Sequence, residues 1–118
     1  MSVRRREHGG IAILDVGGEV YGDRSTDDLQ KALEDEVARG TRRLLLNLYD
    51  CRMMNSTTLA VMIGAKKSFD ETGAEVRLCG LGNRMKSLLV VTRLMERFDV
   101  HDTEIEAIAT FTKAGAGA

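Results

Sequence analysis

The chain has no tryptophan, and its 118 residues include only three phenylalanines, two tyrosines, two cysteines and two histidines. So few rings leave few platforms for stacking bases or sugars. A core of this size must therefore be aliphatic, built from Leu, Val, Ile and Met. Cys51 and Cys79 lie far apart and cannot make a disulfide framework or a four-ligand zinc site. With only His8 and His101 beside them, neither a structural metal nor another cofactor is expected. The two cysteines read as reduced thiols, the state kept by a reducing compartment.

An excess of charge is lacking too. Seventeen basic residues against eighteen acidic ones leave a net charge of −1, which excludes coating nucleic acid or an anionic membrane by charge alone. No apolar run approaches the roughly 18 residues that a membrane span needs. The start, Met1-Ser2-Val3-Arg4-Arg5-Arg6-Glu7-His8, is basic with no apolar segment after it, unlike a secretory signal. These absences set the expectation of a cytoplasmic protein with no direct nucleic-acid or membrane contact. What is present, 43% hydrophobic and 30% charged residues, is the composition of a globular protein with about one domain's length.

Strand-like and helix-like periods alternate along the chain. Ile11-Ala12-Ile13-Leu14-Asp15-Val16 is apolar and rich in β-branched residues, is closed by Gly17-Gly18, and predicts a strand. Polar Val3–His8 pairs beside it as an edge strand, with Gly9-Gly10 as the hairpin turn. Ser25, followed three residues later by Asp28, opens a helix with a capping-box-like pair. Leu29, Ala32, Leu33 and Val37 form its apolar stripe, and Gly40 ends it. Leu44-Leu45-Leu46-Asn47-Leu48 is continuous rather than alternating, as suits a central strand covered on both faces.

Tyr49–Asn55 reads as a connecting loop. Ser56 then caps a helix that turns Leu59, Met62, Ile63 and Phe69 toward the core and stops at Thr72-Gly73. Ala74–Cys79 alternates with period two and predicts a strand. Met85, Leu88, Leu89 and Thr92 mark a third helix after the turn Gly80–Asn83, and Phe98–Val100 a short strand. Thr103 with Glu106 opens a last helix through Ile105, Ile108 and Phe111. The order β-β-α-β-α-β-α-(β)-α predicts one α/β domain, with a mixed, mostly parallel sheet and about four helices. The domain is expected over 1–113, with 114–118 as a flexible Gly/Ala tail.

No catalytic motif stands out. Gly17–Gly22 lacks the spacing of a dinucleotide fingerprint or a phosphate loop, and in Gly80-Leu81-Gly82-Asn83-Arg84-Met85 a methionine stands where the third glycine would be. Neither histidine has a Ser or Cys nearby in sequence to suggest a nucleophile and base. Acidic pairs such as Asp27-Asp28 and Glu34-Asp35 read as a solvated helix face. An enzyme is not expected.

The segment that departs from this background is Met53-Met54-Asn55-Ser56-Thr57-Thr58-Leu59, three hydroxyl residues in a row between a buried strand and an amphipathic helix. Ligands and partners of parallel α/β sheets usually bind at the carboxyl ends of the strands. A hydroxyl at a helix N-terminus is also well placed to carry a phosphate, because free N–H groups and the helix dipole favour negative charge. The plainer reading is a Ser cap followed by two helix-start threonines. Met53 and Met54, adjacent on an extended segment, must face opposite ways, so one of them is expected at the surface.

From Ile11 to Phe111 the chain resembles a STAS domain of the anti-sigma factor antagonist type. Ile13-Leu14-Asp15-Val16-Gly17-Gly18-Glu19-Val20 is similar to the family's apolar strand ending in Gly-Glu. Leu44–Leu48 is similar to its central strand, which usually has Asp where Asn47 stands. Asn55-Ser56-Thr57-Thr58-Leu59-Ala60 falls on its Asp-Ser-Ser/Thr-Gly-Leu-Gly motif, and Glu75–Leu81 and Leu88–Leu94 follow in order.

The resemblance implies a binding module without catalysis, whose partner is an anti-sigma factor that is often a serine kinase. It implies phosphorylation at Ser56, with Thr57 as a secondary candidate, and reversal by a serine phosphatase. Partner contacts would come from Tyr21, Gly22, Asp23, Arg24, Ser25, Met54, Asn55, Thr58 and Leu59. A monomer or weak homodimer is expected. The chain departs from the motif at Asn55, which removes a negative charge, and at Thr58 and Ala60, which replace glycines; a β-branched residue at 58 adds bulk. A non-phosphorylated scaffold or constitutive interaction domain is therefore the alternative.

Overall fold

The computed structural model describes residues 2–20 and 23–111; Tyr21, Gly22 and the tail expected over 114–118 lie outside the described residues. Strand β1 (Ser2–His8) and strand β2 (Ile11–Val20) form an antiparallel hairpin in which His8 faces Ile11. The two-residue turn has Gly9 at φ +56° and Gly10 at φ +81°, the left-handed pair that a tight hairpin turn requires. Helix α1 (Asp23–Ala38) starts two residues before the expected Ser25 and leads to β3 (Arg43–Asn47). Strand β4 (Cys51–Met54), helix α2 (Ser56–Glu71), β5 (Glu75–Cys79), helix α3 (Asn83–Val91), β6 (Asp99–His101) and helix α4 (Glu104–Thr110) follow. The sheet runs β1-β2-β3-β5-β6, with every pairing after the hairpin parallel.

Two expectations fail at the end of β2. The strand does not stop at Gly17-Gly18, and Tyr49–Asn55 is not all loop, because β4 pairs in parallel with Gly18–Val20. Gly18 lies at φ +85°, the register shifts between Gly18 and Glu19, and the Gly18 N–H donates to the Asp50 carbonyl at 2.8 Å. Glycine permits the bulge that carries the strand onward at an angle. Cys-Arg-Met-Met, the sequence of β4, carries no alternation that would reveal it.

The three leucines of β3 divide as the continuous run predicts. Leu44 and Leu46 enter the larger core with Leu14, Val16, Leu29, Leu33, Met62, Phe69 and Leu78, whereas Leu45 enters a smaller one with Ile11, Ile13, Cys79, Ala107 and Phe111. Helices α1, α2 and α3 close the first face and α4 the second. Two stripes shift from their expected positions. Val37 stands at the helix edge while Glu36 is buried, and Ile105 is exposed while Ala107 takes its place. Glu36 tolerates burial because Arg5 Nε donates to it at 2.6 Å and the Thr41 hydroxyl at 2.8 Å.

Candidate functional site

Helix α2 begins beside the end of β4, and its first turn departs from the expectation in one respect: the cap is Asn55, not Ser56. Asn55 has extended backbone, and its Oδ1 accepts the Thr58 N–H at 2.9 Å. Ser56 is therefore the first helical residue, and its exposed side chain is not the cap. Thr57, also exposed, lines a groove of about 620 Å³ between α1 and α2, together with Leu33, Val37, Ala60 and Gly64.

Thr58 points the opposite way and is 0% exposed. Its hydroxyl donates to Asn55 Oδ1 at 2.9 Å and lies 2.8 Å from the buried hydroxyl of Thr26 on α1. The expectation that Thr58 meets a partner is thus corrected: its added bulk faces inward, toward α1. Met54 and Leu59 are buried at 2% and 4% exposure and belong to the large core, so they too support the surface from below. Of the two adjacent methionines, Met53 is the one that reaches the surface.

Asn55 thus stays at the surface beside Ser56. Asp23, Arg24 and Ser25 form the first turn of α1, and Thr26, the next residue, is tied to Thr58. The structure so brings the start of α1 next to the start of α2.

The α2 part of this surface is electrically quiet. No charged residue occurs from Met53 to Ala65, and the first turn of α2 carries no acid. The nearby thiol offers no nucleophile, since burial pushes Cys51 up to about 11, as it does Cys79. Among the described residues, no three His, Cys, Asp or Glu side chains gather to hold a metal.

Polar chemistry concentrates instead on the α4 face. Arg6 grips Asp15 with two bonds, Nε at 2.6 Å and Nη2 at 2.8 Å, and also binds Glu104 of α4. Asn47 donates to Glu104 at 3.2 Å and accepts the Tyr49 N–H at 3.0 Å. The Arg6 guanidinium holds the Asp15 carboxyl below its usual range. Nothing in the sequence pattern announces this network, because its members come from four separate elements.

The STAS domain family profile matches residues 2–107. The chain is 26% identical over 110 residues to the anti-sigma F factor antagonist of Paenibacillus polymyxa, covering 92% of each chain. It is 31% identical over 94 residues to the anti-sigma-B factor antagonist of Staphylococcus aureus, covering 77% of this chain and 84% of that one. Its fold is similar to that of the Bacillus cell fate determinant SpoIIAA in the phosphorylated form, with a TM-score of 0.71 and 14% identity over 92% of this chain and 97% of that one.

Proposed function

The chain belongs to the STAS domain family, and from that premise we propose that it is an anti-sigma factor antagonist. In this reading it docks on an anti-sigma factor with serine kinase activity in the bacterial cytoplasm and so frees a sigma factor. The kinase returns the system to rest by phosphorylating Ser56, with Thr57 as the lesser acceptor, and a serine phosphatase reverses the mark. The protein acts by binding, not by catalysis.

One observation carries this reading: Ser56 stands exposed at the first position of α2, on a helix turn without charged residues, with capping left to Asn55. A phosphate adds a charge of about −1.5 to −2. The free N–H groups and dipole of α2 tolerate it locally, but a partner packed on this turn would have to desolvate it, which costs several kcal/mol per ion in effect. Binding and phosphorylation therefore oppose each other. The docking surface in this reading comprises Asn55, Met53 and the start of α1 with Tyr21 and Gly22. The curated relatives in Paenibacillus and Staphylococcus, named as antagonists of anti-sigma factors, support the partner class.

The test is capture of the anti-sigma partner by the Ser56→Ala and Ser56→Asp proteins, with phosphosite mapping on protein from its native cells. Ser56→Ala is expected to bind as the native chain does and Ser56→Asp at least about tenfold more weakly, since 1.4 kcal/mol already gives that factor. Equal binding by both overturns the switch. A native protein that carries no phosphate under growth or stress favours the second reading, a constitutive interaction domain, for which the α1/α2 groove beside Ala60, with Glu34 as its one charged lining residue, is the supporting observation.

A further inference from the structure

Asn47 closes the leucine run of β3, and in the network on the α4 face its side chain both donates and accepts. Two neighbours fix which end of the amide points where. The Tyr49 N–H can only donate, so the atom it meets at 3.0 Å is the Asn47 oxygen. A carboxylate paired with arginine accepts, so the atom that meets Glu104 at 3.2 Å is the Asn47 nitrogen. An aspartate at 47 would keep the first bond and set two carboxylates against each other. A leucine would keep neither.

The two bonds lead to different parts of the fold. Through its nitrogen, Asn47 is tied to the first residue of α4, which Arg6 of β1 also holds. Through its oxygen, it holds the turn that follows β3. In that turn the Cys51 N–H donates to the Leu48 carbonyl at 3.0 Å, and the Leu48 N–H to the Cys79 carbonyl at 2.9 Å. The Asp50 carbonyl, at its centre, receives the Gly18 N–H at 2.8 Å. The backbone of Gly80 closes over the bond from Tyr49: a Cβ at position 80 would stand 2.9 Å from the Tyr49 nitrogen and 3.1 Å from Asn47 Oδ1.

Strand β4 begins where this turn ends, at Cys51, and pairs beside Gly18. Its last residue, Met54, is buried in the large core, and the next, Asn55, caps α2. The turn is therefore the point from which Met53, Asn55 and Ser56 are laid out.

We infer that Asn47 is a positioning residue for the surface formed by Met53, Asn55 and Ser56, and that Glu104 acts through it. The inference rests on the reading of that surface as the docking site. The carboxylate orients the amide, the amide holds the turn, and the turn sets where β4 starts.

The experiment uses the unmodified full chain and needs neither phosphate nor partner. Amide hydrogen exchange is read at Gly18 and Cys51, with Leu33 of α1 as the reference, and amide resonances from Met53 to Ser56. Asn47→Leu, of similar size and without polar groups, is expected to speed exchange at Gly18 and Cys51 about tenfold relative to Leu33 and to shift the Met53–Ser56 resonances. Asn47→Asp, which has the native shape, is expected to move them in the same direction through its facing carboxylates. Asn47→Asp combined with Glu104→Gln exchanges amide and carboxylate between the two positions, and is expected to restore native exchange and resonances.

A response to Asn47→Leu that stops at Tyr49, or a double variant no closer to native than Asn47→Asp alone, overturns the inference. Should Asn47→Leu fail to fold, the aspartate variant and its rescue decide alone. Failure here is separate from failure of the docking reading, which capture of the partner decides.

Discussion

The two faces of the sheet are built on different chemistry. On one, alternate residues of β2, β3 and β5 present Leu14, Val16, Leu44, Leu46, Val76 and Leu78 to long helices, and the contacts are apolar apart from Glu36, held by Arg5, and the pair Thr26 and Thr58. On the other, Ile11, Ile13, Leu45 and Cys79 meet the short α4 over a small patch, and Arg6, Asp15, Asn47 and Glu104 hold the rest. The first face draws its stability from burial, which falls off little when a charge is added at the surface. The second depends on ion pairs with fixed partners. The proposed acceptor, Ser56, lies at the rim of the first face, where on that reading a change of charge alters binding without undoing the packing beneath.

Neighbouring residues of β3 give the sharpest test of this contrast. Leu46→Ala is expected to cost about 3–4 kcal/mol, because the long helices above it cannot collapse into the cavity. Leu45→Ala, equally buried, is expected to cost about 2–3 kcal/mol, since the seven-residue α4 is free to settle. Urea unfolding of the two variants measures the difference; equal costs would mean that α4 is held as firmly as α1 and α2.

Asp15→Asn comes next, at about 1–2 kcal/mol near neutral pH, through loss of the charge-assisted bonds from Arg6. The native protein carries a matching pH signature. The Asp15 carboxyl is lowered from 3.8, chiefly by its hydrogen bonds to Arg6, with Arg4 helping. Its stabilisation is thus complete above the ordinary carboxylate range and is lost as pH falls through the lower native value. Unfolding midpoints measured from about pH 5 down to about pH 2 should fall less steeply in Asp15→Asn than in the native chain.

The smallest effect is expected at the site itself. Ser56→Asp should leave stability unchanged or raise it by about 0.3–1 kcal/mol through the α2 dipole, even as partner binding falls. A thermal melt distinguishes this from a variant that loses binding by unfolding.

The same contrast governs what could be read from the sequence. Gly9-Gly10, the leucine run and the Thr103 cap were legible because each depends on neighbours along the chain; the Glu106 N–H does reach the Thr103 hydroxyl, at 3.1 Å. The exposed hydroxyl at Ser56 was legible for the same reason, as a residue at a helix start. The inward turn of Thr58 was not, because the hydroxyl that receives it sits 32 residues away on another helix. Helical period fixes the face on which position 58 lies, but an apolar residue would have been its ordinary occupant. The Arg6–Asp15–Glu104 network was hidden more deeply, since its last bond spans 98 residues.

The order of the sheet, β1-β2-β3-β5-β6, is the order of the chain, with β4 set aside on the tail of β2. Each strand of the main path pairs with the one made just before it. During synthesis from the N-terminus, a growing chain therefore always has its docking edge already in place, and no strand waits for a later one to be inserted beside it. The hairpin closes first on local contacts, which carry the least loop entropy. The short α4 arrives last and covers a face whose strands are already aligned.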